Sequence, residues 1–112
     1  MNPEELEAIV LAGLINGGAT PDAFDVIATT PEEAFSIVFH RRAFSEIKKQ
    51  ALANGFIDML FLSESLGGSS LADLSQISRI PATVANLKGY AGKMVQAWRS
   101  RKMAALLQSG AD

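Results

Sequence analysis

The chain of 112 residues is long enough for one domain with a modest core and too short for two. Its 48% hydrophobic and 20% charged residues give a globular rather than a disordered balance, and the absence of cysteine excludes a disulfide framework or a thiolate metal site. The net charge of −2 hides a split, with eleven acids against four bases in residues 1–73 and six bases against one acid in residues 74–112. Such a split suits an anionic partner on the basic side, or docking of the basic end on the acidic end within a chain or between subunits.

In chain order, Asn2-Pro3-Glu4-Glu5 supplies a cap, a proline and two acids for the positive end of a helix dipole. Leu6, Ile9, Val10, Gly13 and Leu14 then form one apolar stripe, ended by Asn16-Gly17-Gly18. The run Ile9 to Ile15 follows acids rather than a basic start and is too short for a bilayer, so a cytoplasmic setting without a membrane partner is expected. Thr20-Pro21-Asp22 opens a second, short helix. Thr30-Pro31-Glu32-Glu33 opens a third with capping-box spacing, predicted from Pro31 to about Ala53. Phe35, Val38, Phe39, Ala43, Ile47 and Ala51 would cover its buried face, and Asn54-Gly55 would stop it.

Phe56 to Leu66 reads either as a buried strand or as a helix; with no partner strand in the sequence, the helix is the reading that satisfies its backbone. After Gly67-Gly68 come two further helical segments, Ser70 to about Ser78 and Pro81 onward. Along the second, Val84, Leu87, Ala91, Met94 and Trp98 keep a 3-4-3-4 spacing, and Val84, Leu87, Met94 and Trp98 are expected to form an interface between copies. Gly89 and Gly92 either admit another backbone or break the helix near Lys88-Gly89-Tyr90, and the tail from Gln108 to Asp112 is expected to fray. The fold expected is all-α, a compact bundle of five or six helices in one domain, 1–112. Its halves are acidic (1–66) and basic (67–112), the latter a helix-turn-helix-like pair with a long basic helix.

Catalysis finds little support. His40, the single histidine, sits in His40-Arg41-Arg42 and reads as solvated or partner-facing, and the pairs Glu4/Glu5 and Glu32/Glu33 are accounted for by helix starts. Gly89-Tyr90-Ala91-Gly92-Lys93 lacks the rest of a phosphate-binding loop. No catalytic residue, metal or cofactor is expected.

Ser70-Leu71-Ala72-Asp73-Leu74 with Ile80-Pro81-Ala82-Thr83-Val84 resembles the helix-turn-helix of bacterial and phage DNA-binding proteins, including regulators and small terminase-like subunits, within residues 69–90. Arg79 stands where that turn usually has glycine. The resemblance implies DNA as partner, with Ala82, Thr83, Ala85, Asn86 and Lys88 facing bases or backbone and Asn86 reading adenine. Arg79, Lys93, Arg99, Arg101 and Lys102 would meet phosphates. The expectation is a small non-enzymatic DNA-binding protein of phage or plasmid type, acting as a homo-oligomer. The alternative is a helical adaptor, such as a phage assembly chaperone or an inhibitor of a host protein, whose basic end meets an acidic protein surface.

Overall fold

The computed structural model describes residues 1–82 and 86–110, so Thr83, Val84 and Ala85 lie outside the described residues, as do 111 and 112 of the tail. The described residues are all-helical: α1 (Pro3–Gly17), α2 (Pro21–Thr29), a 3₁₀ turn (Glu32–Ala34), α3 (Val38–Asn54), α4 (Met59–Leu66), α5 (Ser70–Ser78) and α6 (Leu87–Gly110). None of these helices is long and apolar enough to cross a membrane.

Local chemistry sets most of the boundaries. The side chain of Asn2 accepts from the Glu5 amide (2.8 Å) and that of Thr20 from the Ala23 amide (3.1 Å), each just before a proline that opens its helix. Asp58 caps α4 by accepting from the amides of Leu60 and Phe61, which establishes the helix rather than the strand for that segment. Gly55 ends α3 in the left-handed region at φ 74, a conformation that costs glycine nothing. Arg42 donates to the Leu66 carbonyl at the end of α4, and Asn16 to the Ser78 carbonyl at the end of α5.

The third helix departs from expectation. It starts at Val38, not Pro31, and the Thr30–Glu33 capping box does not form: the Thr30 amide closes α2 on the Val26 carbonyl, and Pro31 caps the 3₁₀ turn without a side-chain hydrogen bond. The intervening extended residues Phe35 to Ile37 shift the phase of α3, so Val38 faces outward at 67% exposure while Phe44 is fully buried. Phe35 and Phe44 meet in the core with ring centroids 4.7 Å apart.

One contiguous core joins all six helices, centred on α1, against which α6, α5 and α3 pack. Gly13 on α1 gives Leu87 of α6 its place: a Cβ at Gly13 would lie 3.0 Å from the Leu87 Cδ1. The helix-turn-helix geometry is absent among the described residues, because Pro81 and Ala82 are not helical and α6 starts only at Leu87. From there α6 runs unbroken through Gly89 and Gly92, neither of which has an atom within 4 Å of where its Cβ would be, and on to Gly110.

Candidate functional site

Glu7 sits on the buried stripe of α1 with Val10, Leu11 and Leu14, and is 1% exposed. Its carboxylate reaches the start of α3, where one oxygen accepts from the Ser36 amide (2.9 Å) and hydroxyl (2.5 Å) and the other from the Ile37 amide (3.1 Å). The second oxygen also lies 3.1 Å from His40 Nδ1. Both amides belong to residues just before Val38, Ile37 being the N-cap, so Glu7 pins the chain that enters α3 from a different helix. Burial pushes the carboxyl up, but the bonds from the Ser36 hydroxyl, the Ser36 and Ile37 amides and His40 outweigh it and hold Glu7 below its ordinary value. His40 is therefore not a solvated side chain, being only 13% exposed beside Glu7. The cluster anchors α1 to the start of α3. Its one sequence signal is an acid at the i−3 and i−4 positions of an otherwise apolar stripe.

The residues singled out on the basic half do not converge. At ~100° per residue along a helix, Lys88, Arg99 and Lys102 share one side of α6 whereas Lys93 and Arg101 point elsewhere. Lys88 is paired with Asp25 (3.3 Å) and Asp22 (3.8 Å) of α2, and the cleft beside it, lined by Asp25, Thr29, Thr30, Gly92 and Arg99, carries an acid of its own. Asn86 and Lys93 line a separate shallow pocket with Gly89 and Tyr90. Arg79 caps the end of α5 and is exposed; Thr83 lies outside the described residues. Of the four residues expected between copies, Leu87 (1% exposed) and Met94 (2%) are used inside the chain's own core, Leu87 against Gly13 of α1, and Val84 lies outside the described residues.

Trp98 is different. It is partly buried, carries Lys102 Nζ 5.1 Å above its ring, and with Pro31, Arg99, Lys102, Met103 and Leu106 lines a cleft of about 550 Å³. Beyond it every residue from Arg99 to Gln108 is exposed, with Met103 at 58%, Leu106 at 60% and Leu107 at 68%. Exposed apolar side chains on a cationic helix end are the composition of a protein-binding surface.

A family model described as the DnaB-like helicase N-terminal domain matches residues 1–96, from the cap of α1 into the first half of α6. The chain belongs to that family. No curated protein matches it. Membership in the DnaB-like helicase N-terminal domain family overturns the resemblance to generic helix-turn-helix proteins, and with it the reading as a small phage- or plasmid-type DNA-binding protein. The physical reason agrees with the match. Of the stretch that carried the resemblance, α5 ends at Ser78, Pro81 and Ala82 are not helical, and the residue that opens α6, Leu87, is buried in the core rather than displayed toward a groove. The adaptor reading accords better with a DnaB-like helicase N-terminal domain.

Proposed function

We propose that this chain is a helical protein-interaction module of a replicative helicase system, which associates with further copies of itself and engages a helicase-loading protein in the cytoplasm, with no catalytic step of its own. Its family membership supports the setting. The observation that carries the interaction is the end of α6, ten consecutive exposed residues that combine Arg99, Arg101 and Lys102 with Met103, Leu106 and Leu107. A helix of that length is marginal alone in water, and flexible Met and Leu side chains beside guanidinium groups gain most from burial against another protein. Arg99, Arg101 and Lys102 then serve an acidic protein surface, and Trp98, with its Lys102 lid, lies at the root of the contact.

The test is retention of a purified replicative helicase and its loader on the immobilised chain, beside a Leu106→Glu/Leu107→Glu variant. The reading expects the loader to be retained by the wild type and at least tenfold more weakly by the variant. Absence of retention, together with a monomer at every concentration, would overturn it.

A further inference from the structure

Along α6, Trp98, Lys102 and Leu106 follow one another at i, i+4 and i+8, with Arg99 and Met103 beside them. All five fall within about 140° of the helix circumference at ~100° per residue. On this side Pro31, at the entry to the 3₁₀ turn, closes the cleft of about 550 Å³. Arg99 also lines the neighbouring cleft of about 420 Å³, whose other wall is Asp25, Thr29 and Thr30 at the end of α2. The two clefts therefore meet at Arg99 and make one groove, with α2 and the turn on one side and α6 on the other. It follows α6 from Lys88 to Leu106, about 27 Å at ~1.5 Å per residue. Nothing lies within 4 Å of where a Gly92 Cβ would be, so the groove is open there to another backbone.

The chemistry changes along its length. At one end Lys88 is already neutralised by Asp25 (3.3 Å) and Asp22 (3.8 Å), and the Thr29 hydroxyl is spent on the Asp25 carbonyl. At the other end the charge is uncompensated. Among the described residues neither Arg99 nor Lys102 forms an ion pair, and Lys102 instead holds Nζ 5.1 Å above the Trp98 ring, between an apolar face and solvent. Attraction of an exposed ammonium to an aromatic ring is weaker than a charged hydrogen bond, so a carboxylate arriving at Lys102 displaces it from the indole.

We infer that this groove holds an acidic amphipathic helix of a partner protein. Its carboxylates meet Arg99 and Lys102, its aliphatic side chains cover Trp98, Met103 and Leu106, and its uncharged turns pass over Gly92 toward Thr29. Lys102 acts as a gate. A carboxylate draws it off the ring and opens the indole to an apolar side chain, whereas a basic helix leaves it in place. Selectivity for acid is thereby built into the apolar contact itself. This inference rests on the protein-interaction reading proposed above and deepens it, since it assigns one side of α6 and the kind of element that side receives.

Trp98 is the single tryptophan of the chain and reports on the groove directly. The probes are a synthetic helical peptide of Leu, Glu and Ala, with Glu and Leu on one face, and its counterpart with every Glu replaced by Lys. Titrated into the dilute full chain, the Glu peptide should move Trp98 emission to shorter wavelength in a saturable way, and the Lys peptide should not. Arg99→Glu should weaken the Glu peptide by roughly tenfold or more, and Lys102→Met, which frees the indole, should cut the preference for the Glu over the Lys peptide by a similar factor. Lys93→Glu makes the same charge change on another side of α6 and should bind as wild type does. Arg99, Lys102 and Lys93 are all exposed, so an unchanged unfolding midpoint certifies each variant as folded. Equal response to the two peptides, or undiminished binding by Arg99→Glu, would overturn the inference. A shift that concentrating the chain alone reproduces in full would make a second copy the occupant and overturn it as well. Retention of the loader by a chain whose Trp98 responds to neither peptide would sink the groove alone, while loss of both would remove the interaction reading with it.

Discussion

Gly13 lets Leu87 lie against the middle of α1, with the leucine Cδ1 3.0 Å from the position a Cβ would take. This approach fastens the last helix to the first, and it sets two opposing effects against each other. Gly13→Val forces branched carbons into a fully packed site and should cost about 1–3 kcal/mol in urea unfolding. Gly13→Ala gains up to ~1 kcal/mol of helix propensity but pushes on Leu87. In a Leu87→Ala background, itself destabilising by about 2–5 kcal/mol, the same Gly13→Ala change should be stabilising because the obstructing methyl is gone. A double-mutant cycle that shows strict additivity would contradict the contact.

Glu7 is the residue on which the start of α3 depends. Its two oxygens serve the Ser36 hydroxyl and the amides of Ser36 and Ile37, so Glu7→Gln, which turns one acceptor into a donor, leaves those groups short of partners. The expected loss is about 2–4 kcal/mol, against about 1.5–3 kcal/mol for Ser36→Ala, which removes a single bond to a charged group. Amide hydrogen exchange at residues 36–40 should rise in Glu7→Gln more than in the rest of α3.

The same carboxylate sets an acid limit. Glu7 titrates below its ordinary value of 4.5 in the folded chain, so the unfolded chain binds the proton first as pH falls. Its contribution is thus fully present above about pH 4.5 and is lost progressively as pH drops through the lowered folded value. Urea midpoints measured from pH 7 down to pH 3 should fall steeply at the acid end for wild type. Glu7→Gln should begin lower and show a flatter acid limb.

Lys88 offers a contrast in magnitude. Its pairs with Asp22 and Asp25 are about half exposed at both ends, and such pairs contribute about 0–1 kcal/mol. Lys88→Ala should therefore shift the unfolding midpoint little, and added salt should erase even that shift.

How far the fold could be read from sequence differed from helix to helix. Where a helix is started by its own neighbours, as with Asn2-Pro3, Thr20-Pro21 and Asp58, the residues announced it. Helix α3 is started by a carboxylate some thirty residues away, and no local pattern competes with that: the capping box at Thr30–Glu33 has the right spacing but Glu7 takes hold of the chain at Ser36. The resulting slip of phase exchanged Val38 for Phe44 in the core. The seam of Leu87, Ala91 and Met94 was visible as a seam, yet spacing alone does not say whether its partner is a second copy or α1 of the same chain. The basic residues misled for a related reason. Charge content is legible, whereas the direction each side chain takes around α6 requires the helix start, which lies at Leu87 and not at Pro81.

The end of α6 gives a prediction that separates local from global stability. Residues from Arg99 to Gln108 are exposed throughout, so their helical hydrogen bonds are supported by one another and not by the core. Replacing Ala104 and Ala105 by glycine removes up to ~1 kcal/mol of helix propensity at each position. Because this segment opens without the core opening, the cost should fall on local fraying, and the global unfolding midpoint should stay where it was. Amides of residues 99–108 should exchange quickly in dilute wild-type protein and become protected as concentration rises, since association supplies the packing that the single chain lacks. The glycine variant should need a higher concentration to reach the same protection, because each association event must also offset the entropy of ordering the helix. Equal protection of these amides at low and high concentration would show that the helix end is held by its own chain after all.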